Sequence, residues 1–198
     1  MLHYVDLVRD PIYGYIYFTR VEEDVINSPI FQRLRFIKQT PGASWVYPSA
    51  NHTRFEHSLG VMHLAGMLAE KILYKDERWK EELSEEEKDR IIQKVRLAGL
   101  LHDIGHGPFS HVFEEFLNSI GVDVNKINHE TIGERIIKEK ISEILKKHNF
   151  DDDDIEEITD WLMERRMGLG AIITKSINVD TLDYLVRDAY HTGTIEYG

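Results

Sequence analysis

Apolar and polar residues alternate over the first stretch, MLHYVDLVRDPIYGYIYFTR, with DPIYG as a turn, and this period of two predicts a short β-hairpin over residues 1–20. From residue 21 the period becomes helical. Residues 21–27 and 29–38 read as two short helices, the second opening on Pro29, whose missing N–H suits a first helical position. Residues 40–54, TPGASWVYPSANHTR, have loop composition. His57, Val61, Leu64, Leu68 and Ile72 make one stripe of a helix over 55–74. Ser84 and Glu87 are spaced as a capping box that opens a helix ending at about Asp103, with Ile91, Val95, Ala98 and His102 on one face. Gly105 and Gly107 stop it, and Pro108 opens another over 108–120. Further helices are expected over 129–148, 152–167 and 179–191, with the carboxylates of residues 151–154 suiting a helix N-terminus. In the last of these helices Val179, Leu182, Val186 and Ala189 read as the core stripe. The expected architecture is a compact all-α domain over 1–198 with a small N-terminal β-hairpin, without internal repeats or low-complexity linkers.

Composition narrows the function classes. With 42% apolar residues among 198, the chain can bury a substantial core, yet no apolar run approaches the roughly 20 residues a membrane span needs. The N-terminus has no basic region followed by an apolar segment, so a soluble, cytoplasmic protein is expected. The absence of cysteine leaves only His, Asp and Glu to hold a transition metal. A net charge of −11 argues against broad nucleic-acid binding, and without an apolar span no membrane role is expected. Arg33, Arg35, Lys38 and Arg54 make one basic stretch, readable as a solvated helix face or as a local anion pocket.

The segment GLLHDIGHGPFSH, residues 99–111, concentrates chemistry that a hydrophobic core does not need. His102 and Asp103 are adjacent near a helix end, where an aspartate opposes the helix dipole and calls for a positive neighbour. Either a divalent cation or an arginine meets that need. His57 shares an apolar stripe, a position that suits a buried structural histidine as well as a ligand. His106 and His111 flank the Gly-rich break; Glu114 is placed three residues on to orient His111, and His129 opens a later helix. In NVDTLDYLVRDAYHTG, Asp180 at the first turn is the candidate fourth ligand, while Asp183 and Arg187 are spaced as a helix salt bridge.

Taken together, His57, His102–Asp103 and Asp180 form the H…HD…D pattern, and the chain resembles the HD-domain metal-dependent phosphohydrolases. RFEHSLGV, AGLLHDIGHGPFSH, NHE, VDTLDYLVRDAYH, DPIYG and SPIFQRLRFIKQ are similar to segments of the deoxynucleoside triphosphate triphosphohydrolases within that family. The resemblance implies hydrolysis at the α-phosphorus of a dNTP, giving nucleoside and inorganic triphosphate. It implies that His57, His102, Asp103 and Asp180 hold one divalent ion; two imidazoles and two carboxylates accept Fe, Mn, Ni, Co or Zn, with Mg an additional companion of the nucleotide. It gives Arg54 to the α-phosphate region, and to His111 the protonation of the departing 5′-oxygen with Glu114 behind it. His106 and His129 match the remaining active-site histidines, and Gln39, Tyr184 and Asp188 match residues around the sugar. Gln32 and Arg35 match an activating guanine-nucleotide site found in some members, and a homo-oligomer is expected.

Three departures temper the resemblance. The family runs on past its last aspartate, so relative to it this domain is expected to be shortened at the C-terminus. Thr181 stands where a lysine is expected, and Asn27 where an aspartate would accept a guanine edge, which predicts weak or no guanine activation. Two alternatives stay open: an HD-type nucleotide phosphatase or phosphodiesterase, and a nucleotide-binding regulatory module with little turnover.

Overall fold

The computed structural model describes residues 2–75, 82–124, 127–165 and 178–194. Strands β1 (Tyr4–Asp10) and β2 (Gly14–Thr19) form the predicted antiparallel hairpin, with Val8 opposite Ile16. The turn closes because Asp10 Oδ1 accepts from the backbone N–H groups of Ile12 (2.8 Å) and Tyr13 (3.0 Å). Ile16 and Phe18 face the core, whereas Tyr15 and Tyr17 face outward, the alternation expected of a one-sided sheet.

Helix α1 (Arg20–Ile26) follows with a Thr19–Glu22 capping box. Helix α2 (Pro29–Gln32) has Pro29 at its start, as expected, but it is shorter than the predicted 29–38. It tightens into a 3-10 turn over Arg33–Phe36, after which Ile37 is extended (φ −109°, ψ 111°). That extension lets the Ile37 carbonyl accept from Arg54 N (2.9 Å) and sets Lys38 beside Thr53.

The centre of the fold is α3 (Arg54–Lys75) packed on α4 (Glu85–Leu101). Helix α4 opens on the predicted Ser84–Glu87 capping box. From Val95 to Leu101 it is buried on every side, against α3 and α8 (Asp152–Leu162). The buried stripe of α3 differs from the expected one. His57 and Val61 belong to it, but it continues through Ala65, Ala69 and Leu73, while Leu68 is exposed and Leu64 and Ile72 only half-buried. Small side chains let two helix backbones approach closely, so alanines outcompete leucines for the interface.

Helix α5 is His111–Ser119, α6 is His129–Ile136 and α7 is Ser142–Lys147; a π-turn over Ile137–Ile141 joins α6 to α7, so the helix expected over 129–148 runs on. Helix α8 ends at Leu162 rather than 167, and residues 166–167 lie outside the described residues. The helix expected from Pro108 starts only at His111, because Phe109 and Ser110 hold positive φ (63° and 49°).

Helix α9 (Val179–Thr192) packs across α3 with a face other than the predicted one. Val179 is buried as expected, but Leu182 and Val186 are exposed and Ala189 half-buried, whereas Asp183 and Arg187 are fully buried. A buried pair outweighs apolar periodicity here because every polar atom of it is partnered, as described below. Among the described residues no helix is long and apolar enough to cross a membrane.

Candidate metal centre and active site

The N-terminal turns of α3 and α9 and the C-terminal end of α4 meet at one point. Each delivers a residue of the H…HD…D pattern. His57 Nε2 lies 3.2 Å from His102 Nε2, 2.9 Å from Asp180 Oδ1 and 3.7 Å from Asp103 Oδ2. His102 Nε2 lies 3.5 Å from Asp103 Oδ2 and 3.8 Å from Asp180 Oδ1. His57, His102 and Asp103 form a group whose ligand atoms all lie within 4.8 Å of one another, and Asp180 approaches from the open side.

The donor set suits a cation. His102 Nδ1 lies 2.7 Å from the Gly99 carbonyl, which accepts only from N–H, so in the neutral ring Nε2 carries a lone pair. His57 Nδ1 donates to Asp183 Oδ2 at 2.7 Å, which turns its Nε2 lone pair the same way. Two such nitrogens and two carboxylates converging on one point need a positive charge between them. The carboxylates make themselves felt on the ring: burial opposes charge on His57, but hydrogen bonds to Asp180 and Asp183 raise its pKa to about 9.

A second layer holds these ligands, and much of it went unread in the sequence. Asp183 accepts from His57, from Arg187 Nε (2.8 Å) and Nη2 (2.9 Å), and from the Tyr13 hydroxyl (2.8 Å). Arg187 Nη1 donates in turn to Asp10 Oδ2 at 2.8 Å. The DPIYG turn is thus a brace that reaches the site from behind. The i,i+4 spacing of Asp183 and Arg187 predicts the pair, but helix spacing carries no sign of whether a pair faces water or core. Gly60, one turn after His57, leaves the space they fill: a Cβ there would lie 2.5 Å from Arg187 Nη2.

An arginine meets the isolated aspartate directly, beside the group of residues able to hold a cation. Arg54 Nη1 donates to Asp103 Oδ2, and its Nε (3.0 Å) and Nη2 (2.9 Å) donate to Ser110 Oγ. Arg54 is buried, so the solvated-face reading fails for it. It fails for Arg33 as well, whose guanidinium donates to the carbonyls of His106 (2.6 Å) and Ile104 and so caps the end of the HD segment. Lys38 and Arg35 are exposed, as that reading has it. The Ser110 contact explains the positive φ at 109–110: non-glycine residues there are strained by ~1–3 kcal/mol, and such strain collects at functional sites.

His106 Nε2 lies 3.3 Å from Asp103 Oδ1, and its ring stacks on His129 with centroids 4.1 Å apart and planes 12° apart. Burial lowers the His106 pKa to about 4, although Asp103 pulls the other way. Glu114 Oε1 accepts from His129 N (2.8 Å) and His129 Nδ1 (2.7 Å), so this carboxylate fixes His129. The side chain of His111 lies outside the described residues, and its expected link to Glu114 stays with them. The close approach of α6 that brings His129 here depends on Gly105, where a Cβ would lie 2.5 Å from Gly133 N.

These groups line one cavity of about 440 Å³. Its lining includes Arg54, His102, Asp103, His106, His129 and Asp180, together with Gln39, Thr40, Tyr184 and Asp188. Gln32 and Arg35 lie elsewhere: Arg35 Nε donates to Gln32 Oε1 at 2.7 Å, and its guanidinium stacks 3.5 Å over the Phe55 ring.

Comparison with known proteins points to the same segment. The family model described as HD domain matches residues 54–188. An uncharacterized protein of Methanocaldococcus jannaschii is 40% identical over 95% of this chain and 34% of its own length. A Dictyostelium discoideum protein named deoxynucleoside triphosphate triphosphohydrolase SAMHD1 homolog is 36% identical over 94% of the chain and 36% of its own. Human deoxynucleoside triphosphate triphosphohydrolase SAMHD1 is 34% identical over 94% and 33%. The crystal structure of a hypothetical protein from Aquifex aeolicus superposes with a TM-score of 0.77 at 39% identity, covering 98% of this chain and 48% of that one. The chain therefore spans about a third of the length of these curated relatives.

Proposed function

The chain belongs to the HD-domain family of phosphohydrolases, and on that premise we propose that it hydrolyses deoxynucleoside triphosphates to nucleoside and inorganic triphosphate. The observation that carries this reading is one cavity lined by His102, Asp103 and Asp180 of the His57-centred cluster, by a buried arginine and two stacked histidines, and by Gln39, Tyr184 and Asp188.

His57, His102, Asp103 and Asp180 hold one divalent ion, Fe, Mn, Ni, Co or Zn. When bound, that ion supplies Lewis acidity toward a phosphoryl oxygen. Arg54 offsets phosphate charge from a position fixed by Asp103 and Ser110. His106, neutral near pH 7 because burial lowers its pKa, offers a ring nitrogen to water or phosphate oxygen. His129, steadied by Glu114, stacks beside it. His111, at the first turn of α5, gives a proton to the 5′-oxygen as the bond from that oxygen to the α-phosphorus breaks, while water oxygen joins the phosphorus and releases its proton to solvent. Gln39, Tyr184 and Asp188 hold the sugar. Magnesium accompanies the nucleotide, and copies of the chain associate, a part of the reading supported by the exposed Phe36, Trp45 and Val46.

The test is a product assay on Mn- or Fe-loaded protein with each dNTP, products separated by ion exchange, and Asp103→Ala as control. Nucleoside plus triphosphate, lost in the variant, supports the reading. Orthophosphate as product points to another HD phosphohydrolase. Nucleotide binding without turnover points to a regulatory module.

A further inference from the structure

His52 is 2% exposed, and the sequence offers no reason for a histidine inside a loop of Ser, Asn and Pro. Its two polar ends go to the same wall of the cavity. The imidazole Nε2 donates to Asp188 Oδ1 at 2.6 Å, and the His52 carbonyl accepts from Gln39 N at 3.2 Å. Gln39 and Asp188 lie 149 positions apart in sequence, and both line the cavity. The ring is held flat against His191, centroids 4.5 Å apart and planes 14° apart, and the His191 carbonyl accepts from Ser49 Oγ.

Among the described residues His52 Nδ1 has no hydrogen-bond partner. A neutral ring has one N–H, and here Asp188 takes it, leaving a bare lone pair inside. A buried histidine kept only for packing has no need of this arrangement, since an apolar ring avoids the unpartnered nitrogen. The bond it does make fixes a carboxylate that lines the cavity and whose side chain is 30% exposed. In the lining of the same cavity, the Gln39 side-chain oxygen is buried and without a partner among the described residues. Two acceptors lining one cavity, one of them hydrogen-bonded to the His52 ring and the other on a residue whose backbone N–H is held by the His52 carbonyl, suit a hydroxyl donor.

We propose that His52 is a positioning residue that sets Asp188 and Gln39 as a hydroxyl-reading wall of the cavity. The proposal rests on the nucleotide reading above, under which the donor is the one free sugar hydroxyl of a dNTP, at the 3′ carbon.

The experiment compares wild type, His52→Leu and His52→Gln on dNTPs and on 2′,3′-dideoxy counterparts, with metal content and thermal melting recorded for each. We expect His52→Leu to raise KM for dNTPs by about tenfold, leave kcat within about twofold, and leave the dideoxy KM unchanged. The wild-type preference for the hydroxyl then disappears. His52→Gln, which keeps an N–H for Asp188, should retain most of it. A folded, metal-replete His52→Leu with unchanged KM and unchanged preference overturns the proposal, as do equal losses on both substrate sets. If His52→Leu does not fold, His52→Gln with and without Asp188→Asn decides: additive losses overturn, non-additive losses support. If wild type turns over no dNTP, the nucleotide reading falls, and 15N-histidine NMR decides for His52 alone. A slowly exchanging Nε2–H that shifts in Asp188→Asn supports the link, and its absence overturns it.

Discussion

Asp183 accepts a 2.7 Å hydrogen bond from Nδ1 of His57, although 126 positions separate them in sequence. Burial by itself would raise the Asp183 pKa, but hydrogen bonds from His57 and Arg187 bring it down to about 2. The carboxylate is therefore ionised across the physiological range and fixes both the tautomer and the orientation of the ligating ring.

Replacing Asp183 by Asn keeps the shape and removes the charge. Metal affinity should fall by ~10–100-fold, the usual effect of losing a partner behind a ligating histidine. Competition titration against a chromogenic chelator reads this directly, and an unchanged affinity removes Asp183 from the metal-holding layer.

Gly60→Ala places a methyl group against Arg187 Nη2 and Asp183. Forcing a group into a filled interior costs ~1–3 kcal/mol, so melting temperature should drop together with metal content. A variant that melts like wild type and binds metal normally shows that α9 can move away from α3 without loss.

Metal removal should lower stability in a concentration-dependent way. Above the dissociation constant each tenfold increase in free metal adds ~1.4 kcal/mol if only the folded chain binds it. Melting curves of chelator-treated protein across a metal series measure the slope, and Asp103→Ala should flatten it.

Glu134 accepts from Arg165 through both oxygens (2.7 and 2.9 Å) and from Lys138 (2.8 Å), tying α6 to the end of α8. These bonds lower its pKa from 4.5 to about 2. A carboxylate with a depressed folded pKa stabilises above its unfolded pKa and loses that contribution as pH falls through the folded one. Glu134→Gln should therefore melt below wild type near neutral pH, with a modest difference of ~1 kcal/mol or less. The gap should close between about pH 4.5 and 2. A gap that persists at the acid end means the pair is not its source.

Local patterns were readable wherever one element carries its own signal. The hairpin, the Ser84–Glu87 capping box, Pro29 at a helix start and the adjacent His102 and Asp103 need only neighbours within a few residues. His102, Asp103 and Asp180 stand out as candidate ligands from their places in the helices, the resemblance adds His57, and the structure brings all four to one point. The stripes of α3 and α9 were misread for a shared reason. Periodicity ranks faces by apolarity, whereas close helix packing selects alanine on α3 and a fully partnered ion pair on α9.

By itself, then, the amino-acid sequence determined the helical class, the helix starts marked by Pro29 and by the Ser84–Glu87 box, and the residue types able to hold a cation without thiolate. Tertiary structure alone decided which charges are buried and what they hold. Asp10, Tyr13, Asp183 and Arg187 read as a turn and a helix pair until packing joins them behind His57. Glu114 goes to His129, fifteen positions away, and His52 reaches Asp188 across the cavity wall. The reason is physical: a hydrogen bond is worth most where water is excluded, and exclusion of water is a property of packed elements rather than of sequence spacing.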